Sequence, residues 1–154
     1  MSLRELVKHT NVNEAYGVET EFDNGDERVI EHFSEVIANI LTFSLQAHIY
    51  HLQTLSGNDH MALGEFYDTL RNEGDELAEK FIGNGGILNY YDEFDVDFTM
   101  TYDKGELINE LYEFKEDILT AIRFTDESEL LSLQEDLVEI KGAIDSLVYK
   151  LRMS

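Results

Sequence analysis

The chain has 154 residues, 43% hydrophobic, with nine Phe, eight Tyr, no Cys and no Pro, and its 33 acidic against 11 basic residues give a net charge of -22. That length suits one domain with a real core. The charge excludes direct nucleic-acid binding, which relies on Lys and Arg displacing phosphate counterions, and the lack of Cys excludes disulfides and thiolate sites.

Residues 1–23 are mixed and polar and read as an N-terminal segment apart from a domain at 24–154. Asn24 and Glu27 have capping-box spacing, and helix one is expected from there to about Leu55. At about 100° per residue, Ile30, Phe33, Ile37, Ile40, Leu41, Ser44, His48, His51 and Leu55 share one sector, a core face. A second stripe, Val29, Val36, Phe43 and Tyr50, repeats every seven residues and predicts a subunit interface, hence a homo-oligomer. Ser56–Asp59 reads as a turn with a cap at its end. Helix two is expected over His60–Ile82, with Leu63, Phe66, Leu70, Gly74, Leu77 and Phe81 inward. Met61, Asp68, Asp75, Glu79 and Ile82 face outward, and the glycines at 83, 85 and 86 stop the helix. Residues 87–102 form a long connection, partly extended because Phe94, Val96, Phe98 and Met100 alternate with polar residues. Asp103 and Glu106 cap helix three, which runs to about Phe124 with Leu107, Leu111, Phe114, Ile118 and Ile122 inward. Asp126 and Glu129 cap helix four, which ends near Met153 with Leu130, Leu133, Leu137, Ile140, Ile144, Val148 and Leu151 inward.

Loop lengths set the topology. Short turns make helices one and two antiparallel, and likewise three and four. The connection, about sixteen residues, reaches about 50 Å when extended, whereas helix two spans about 35 Å. The expectation is an all-α, ferritin-like four-helix bundle with one long crossover between helices two and three. No membrane span is visible, because charge interrupts every apolar run, so the expected location is cytoplasmic.

Chemistry concentrates at one place. His48, His51 and His60 fall within thirteen residues across the first helix–helix turn, and Asp68, Asp75 and Glu79 follow on the outer face of helix two. Imidazole with carboxylate suits Fe(II), Mn(II) or Zn(II). His48 and His51, three apart, share a face; they either chelate an ion or close the open end of the core through hydrogen bonds. His60 either joins them or is a solvated turn residue. The three carboxylates either ligate or form a solvated stripe. His9 and His32 read as surface residues. No Glu-x-x-His string occurs and the core stripes of helices three and four carry no carboxylate, so a di-iron centre inside the bundle is not expected. Asp92, Glu93, Asp95 and Asp97 lack the glycine and spacing of a calcium loop. There is no serine elbow, no phosphate loop and no organic cofactor motif.

The run from Leu45 to Gly86 resembles the Dps-like, or mini-ferritin, branch of the ferritin-like superfamily, and still more closely the Dps-like proteins of tailed phages. The residues that carry this are His48, His51-Leu52-Gln53-Thr54, His60, Ala62-Leu63, Phe66-Tyr67, Asp75 and Glu79. The resemblance implies iron held between two subunits, with a ferroxidase or storage role. His51 matches the first histidine of the family site, Asp68 its first aspartate, and Asp75 and Glu79 its second aspartate and glutamate. The second histidine position falls near Gly64, and Asp68 to Asp75 is one turn shorter than usual; His48 or His60 would then substitute. The alternative is an acidic phage accessory protein, acting in the host cytoplasm, that keeps the fold and binds or inhibits a basic host or defence protein as a nucleic-acid mimic.

Overall fold

A computed structural model describes residues 27–86, 88, 97–127 and 130–154. The segment 1–23, the Asn24 cap, Phe94, Val96 and Glu129 lie outside them. Among the described residues the regular elements are α1 (Glu27–Gln53), α2 (Gly57–Gly83), α3 (Lys104–Glu127), a 3-10 turn (Leu131–Leu133) and α4 (Gln134–Met153). The protein is an all-α four-helix bundle. No helix among the described residues is long and apolar enough to cross a membrane.

Cross-links between helices fix their directions. Ser44 Oγ near the end of α1 donates to the Tyr67 carbonyl near the start of α2. Lys80 at the end of α2 pairs with Asp136 at the start of α4, and Lys150 near the end of α4 pairs with Glu65. Lys104 at the start of α3 donates to Ser154 Oγ at the end of α4 at 2.8 Å, Lys115 of α3 meets Asp145 of α4 at 2.6 Å, and Tyr50 Oη of α1 lies 3.4 Å from Glu110 near the start of α3. Each of these neighbours is antiparallel. The packing partners are α1 with α2, α2 with α4, α4 with α3, and α3 with α1; α2 and α3 do not pack together. Consecutive helices α2 and α3 are therefore diagonal and parallel, and the chain must return the length of the bundle between them. That is the ferritin-like arrangement with one long crossover.

The core follows the helical periodicity. Phe33, Ile37, Ile40, Leu63, Leu70, Leu77, Phe81, Leu107, Leu111, Leu133, Leu137, Ile140 and Ile144 are fully buried. Each such side chain contributes about 1.5–3 kcal/mol through burial. Gly74 lets α1 and α2 approach, since a Cβ there would lie 2.8 Å from Ile40 Cγ2. At the end of α2, Gly85 takes φ 90°, a conformation that favours glycine.

Several expectations are corrected. Val29, Val36 and Tyr50 are buried inside this chain, and Phe43 stacks on Phe114 of α3 at 4.6 Å. The stripe proposed as a subunit interface is thus α1's contact with its second neighbour; a helix in a square bundle needs two apolar faces. Leu41 and Leu55, expected inward, are exposed, Leu55 completely. Ser56, not Asp59, caps α2, accepting from Asp59 N at 3.2 Å, so α2 starts three residues before His60. Asp126 lies within the last turn of α3 and accepts from Gln134 Nε2; the α-helical part of α4 starts only at Gln134. The Asp103 cap is observed, with Glu106 N donating to Oδ1 at 2.8 Å. His32 is half-buried on Phe124, ring centroids 4.4 Å apart, and is no surface residue.

Candidate functional site

The turn between α1 and α2 brings His51 and His60 face to face. Their rings stack with centroids 3.7 Å apart. His51 Nδ1 lies 2.7 Å from the His60 carbonyl, and His60 Nδ1 lies 2.8 Å from the His51 carbonyl. A carbonyl only accepts, so both Nδ1 atoms carry a proton, and the neutral form of each ring has its lone pair on Nε2. Gly64 makes this close seat available: a Cβ there would meet His51 Cε1 at 3.2 Å and Nδ1 at 3.3 Å. The position that the resemblance assigns to a second histidine is thus filled by the ring of His51 itself. His48 stacks on Tyr67 at 4.3 Å, with its ring 6.0 Å from that of His51.

The carboxylates are placed differently. Asp68 is exposed and pairs with Arg71 at 3.2 Å, and Asp75 and Glu79 are exposed about two and three turns beyond it on α2. The three histidines gather, but within one chain His48, His51, His60, Asp68, Asp75 and Glu79 include no group of three close enough to share an ion.

Two buried carboxylates escape sequence reasoning. Asp59 is 1% exposed. It takes a hydrogen bond from Tyr102 Oη at 3.0 Å, pairs with Lys104 Nζ at 3.1 Å and receives Ser154 Oγ. Burial alone would raise its pKa; the hydrogen bonds from Ser154, Lys104 and Tyr102 outweigh that and hold it below the ordinary carboxylate range. Asp136 of α4 is buried against α2, beside a core stripe that itself carries no carboxylate. The signal was present: Asp136 stands one position before core Leu137, at the edge of the stripe, and Lys80 supplies its partner at 2.6 Å.

The chain's excess of acid leaves a thermodynamic signature. Glu73, Glu110 and Asp117 are all raised, by burial first and then by neighbouring carboxylates. Between the unfolded value of about 4 and these raised values the folded state binds more protons than the unfolded one, so stability falls as pH rises through that window. His32, lowered by its burial, acts in the opposite sense below about pH 6.5. In a His32→Gln background, which removes the opposing group, the thermal midpoint is expected to be higher at pH 5 than at pH 8, read by calorimetry. Below about pH 4 the sign reverses, as Asp59 and the doubly lysine-paired Asp145, both lowered, take up protons.

No curated protein and no solved structure matches the chain. One family model does, over residues 51–151, which begin at His51 and take in α2, α3 and α4. Since that match covers most of the chain, the protein belongs to the family of unknown function DUF5856.

Proposed function

We propose that the chain is a Dps-like, ferritin-fold protein that binds a divalent transition ion, iron foremost with Mn or Zn as alternatives, at the α1–α2 turn. The observation that carries this reading is the His51–His60 pair. Histidines that ligate metals commonly donate their other ring N–H to a backbone carbonyl, which fixes the tautomer and presents Nε2; both rings are held that way here. His48 lies on the same face as an auxiliary. Asp68, Asp75 and Glu79, exposed along α2, would complete such a site from a neighbouring subunit. Storage or ferroxidase activity extends the same reading.

Anaerobic Fe(II) titration tests it. Binding is expected for the parent at tens of micromolar, weakening below about pH 6 because a ligating imidazole must be neutral. His51→Ala and His60→Ala are each expected to weaken it about tenfold or more with helicity retained. A parent that binds no Fe(II), Mn(II) or Zn(II), or variants that bind as the parent does, would overturn the reading.

The accessory-protein reading has one observation of its own. Glu106, Glu110, Glu113 and Asp117 follow one another along α3, and Glu110 and Glu113 flank, with Asp117, a groove of about 310 Å³ floored by Phe43 and Phe114. A basic partner would relieve the mutual repulsion that helps to raise Glu110 and Asp117. Salt-insensitive capture, or capture unaffected by Glu113→Gln, would count against it.

A further inference from the structure

On the opposite end of α2 from the histidines, Glu73 and Glu76 face Asp136 of α4. One carboxylate oxygen from each lies within 4.8 Å of the others. That span is what a single cation needs, since oxygens ligate Ca(II) at about 2.3–2.6 Å and Mg(II) at about 2.0–2.1 Å, and ligands on opposite sides are about twice that apart. The cluster grades inward: Glu76 is exposed, Glu73 half-buried and the Asp136 side chain only 3% exposed.

Acidic groups crowd many surfaces of this chain. What distinguishes this one is Asp136. Its Oδ1 is held by Lys80 Nζ at 2.6 Å, but its Oδ2 is buried with no hydrogen-bond partner among the described residues. An ionised oxygen left this way costs free energy comparable to a lost charge-assisted hydrogen bond. Three carboxylates and one ammonium leave a formal charge of -2 on the cluster, which one divalent ion neutralises.

We propose that Glu73, Glu76 and Asp136 form a binding site for a hard divalent cation, of the Mg(II), Mn(II) or Ca(II) type, that bridges α2 to α4. All-oxygen ligation selects this class over the softer ions that imidazole prefers. With three protein ligands, water fills the remaining positions. Lys80 keeps Oδ1, and the ion takes Oδ2. The site is separate from the histidine pair: Glu73 lies thirteen residues beyond His60 on the same straight helix, about 20 Å along its axis.

The test uses Mn(II), followed by its electron spin resonance signal, with the whole chain carrying His51→Ala and His60→Ala so that imidazole ligation at the turn cannot contribute. Binding is expected to persist in that background, to be displaced by Ca(II), and to raise the thermal midpoint. Glu76→Gln is expected to weaken it at least about tenfold, while the metal-free thermal midpoint stays level or rises because repulsion is relieved. Asp136→Asn should abolish binding; Glu76, being exposed, gives the result that folding defects cannot mimic. Glu116→Gln, on α3 and outside the cluster, should leave binding unchanged. No Mn(II) binding in the double-histidine background, or a loss shared equally by Glu116→Gln, would overturn the proposal whatever becomes of the histidine site.

Discussion

Replacing Phe43 with Asp is expected to destabilise the bundle strongly, not to disperse an assembly of intact monomers. Phe43 lies flat on Phe114, ring planes 2° apart, and meets Phe66 edge-on at 6.1 Å. Truncating a packed phenylalanine costs about 3–5 kcal/mol. The new carboxylate would also enter the groove that Glu110, Glu113 and Asp117 already line, adding like-charge repulsion. Against the roughly 5–15 kcal/mol that holds a domain together, this is a large fraction. Urea unfolding read by far-ultraviolet dichroism checks it, with Phe43→Leu as the control at about 1 kcal/mol. A variant that keeps the parent's midpoint but changes in hydrodynamic size would restore the stripe to the role of a subunit interface.

Asp59→Ala is expected to cost about 2–4 kcal/mol, because Tyr102 Oη, Lys104 Nζ and Ser154 Oγ all converge on that one carboxylate. The loss should be pH-dependent in a diagnostic way. Asp59 titrates below its unfolded value, so its contribution is complete above about pH 4 and disappears as pH falls through the native pKa. Parent and variant stabilities should converge in strong acid and separate above it. Asp59→Asn, which keeps the shape and loses the charge, should fall between them. Parallel stability curves from pH 2 to pH 7 would show that the ionised form of Asp59 is not what matters.

The architecture was legible because helical periodicity and loop length carry it. The inward positions of α2, α3 and α4 were read correctly almost residue by residue, since each helix buries one dominant stripe. Helix α1 misled at its second stripe because periodicity says that a face is apolar and nothing about what covers it. The same limit applies to the buried acids. Asp59 looks like any of the chain's 33 acidic residues, and Asp136 is marked only by its place at the edge of a core stripe; what sets both apart is Lys104 and Lys80, which are distant in sequence and adjacent only after folding. The histidine cluster was visible as a local spacing across one turn. Its reciprocal bonding to two carbonyls was not, because it depends on how the turn sets the two helix ends against each other.

The diagonal placement of α2 and α3 also sets an order of events in folding. Each hairpin, α1–α2 and α3–α4, forms from contacts near in sequence and can collapse on its own timescale. The two helices joined by the crossover have no packing to gain from one another. Every contact between hairpins instead spans a long stretch of chain, as between Lys150 and Glu65 or Gln46 and Thr99. Docking of the two hairpins is therefore the step expected to limit folding, and the entropy of closing the crossover adds to its barrier only with the logarithm of its length. The reciprocal bonds between the Gln46 amide and Thr99, 2.7 and 2.8 Å long, engage the returning chain as it passes α1 and give that docking a register to find.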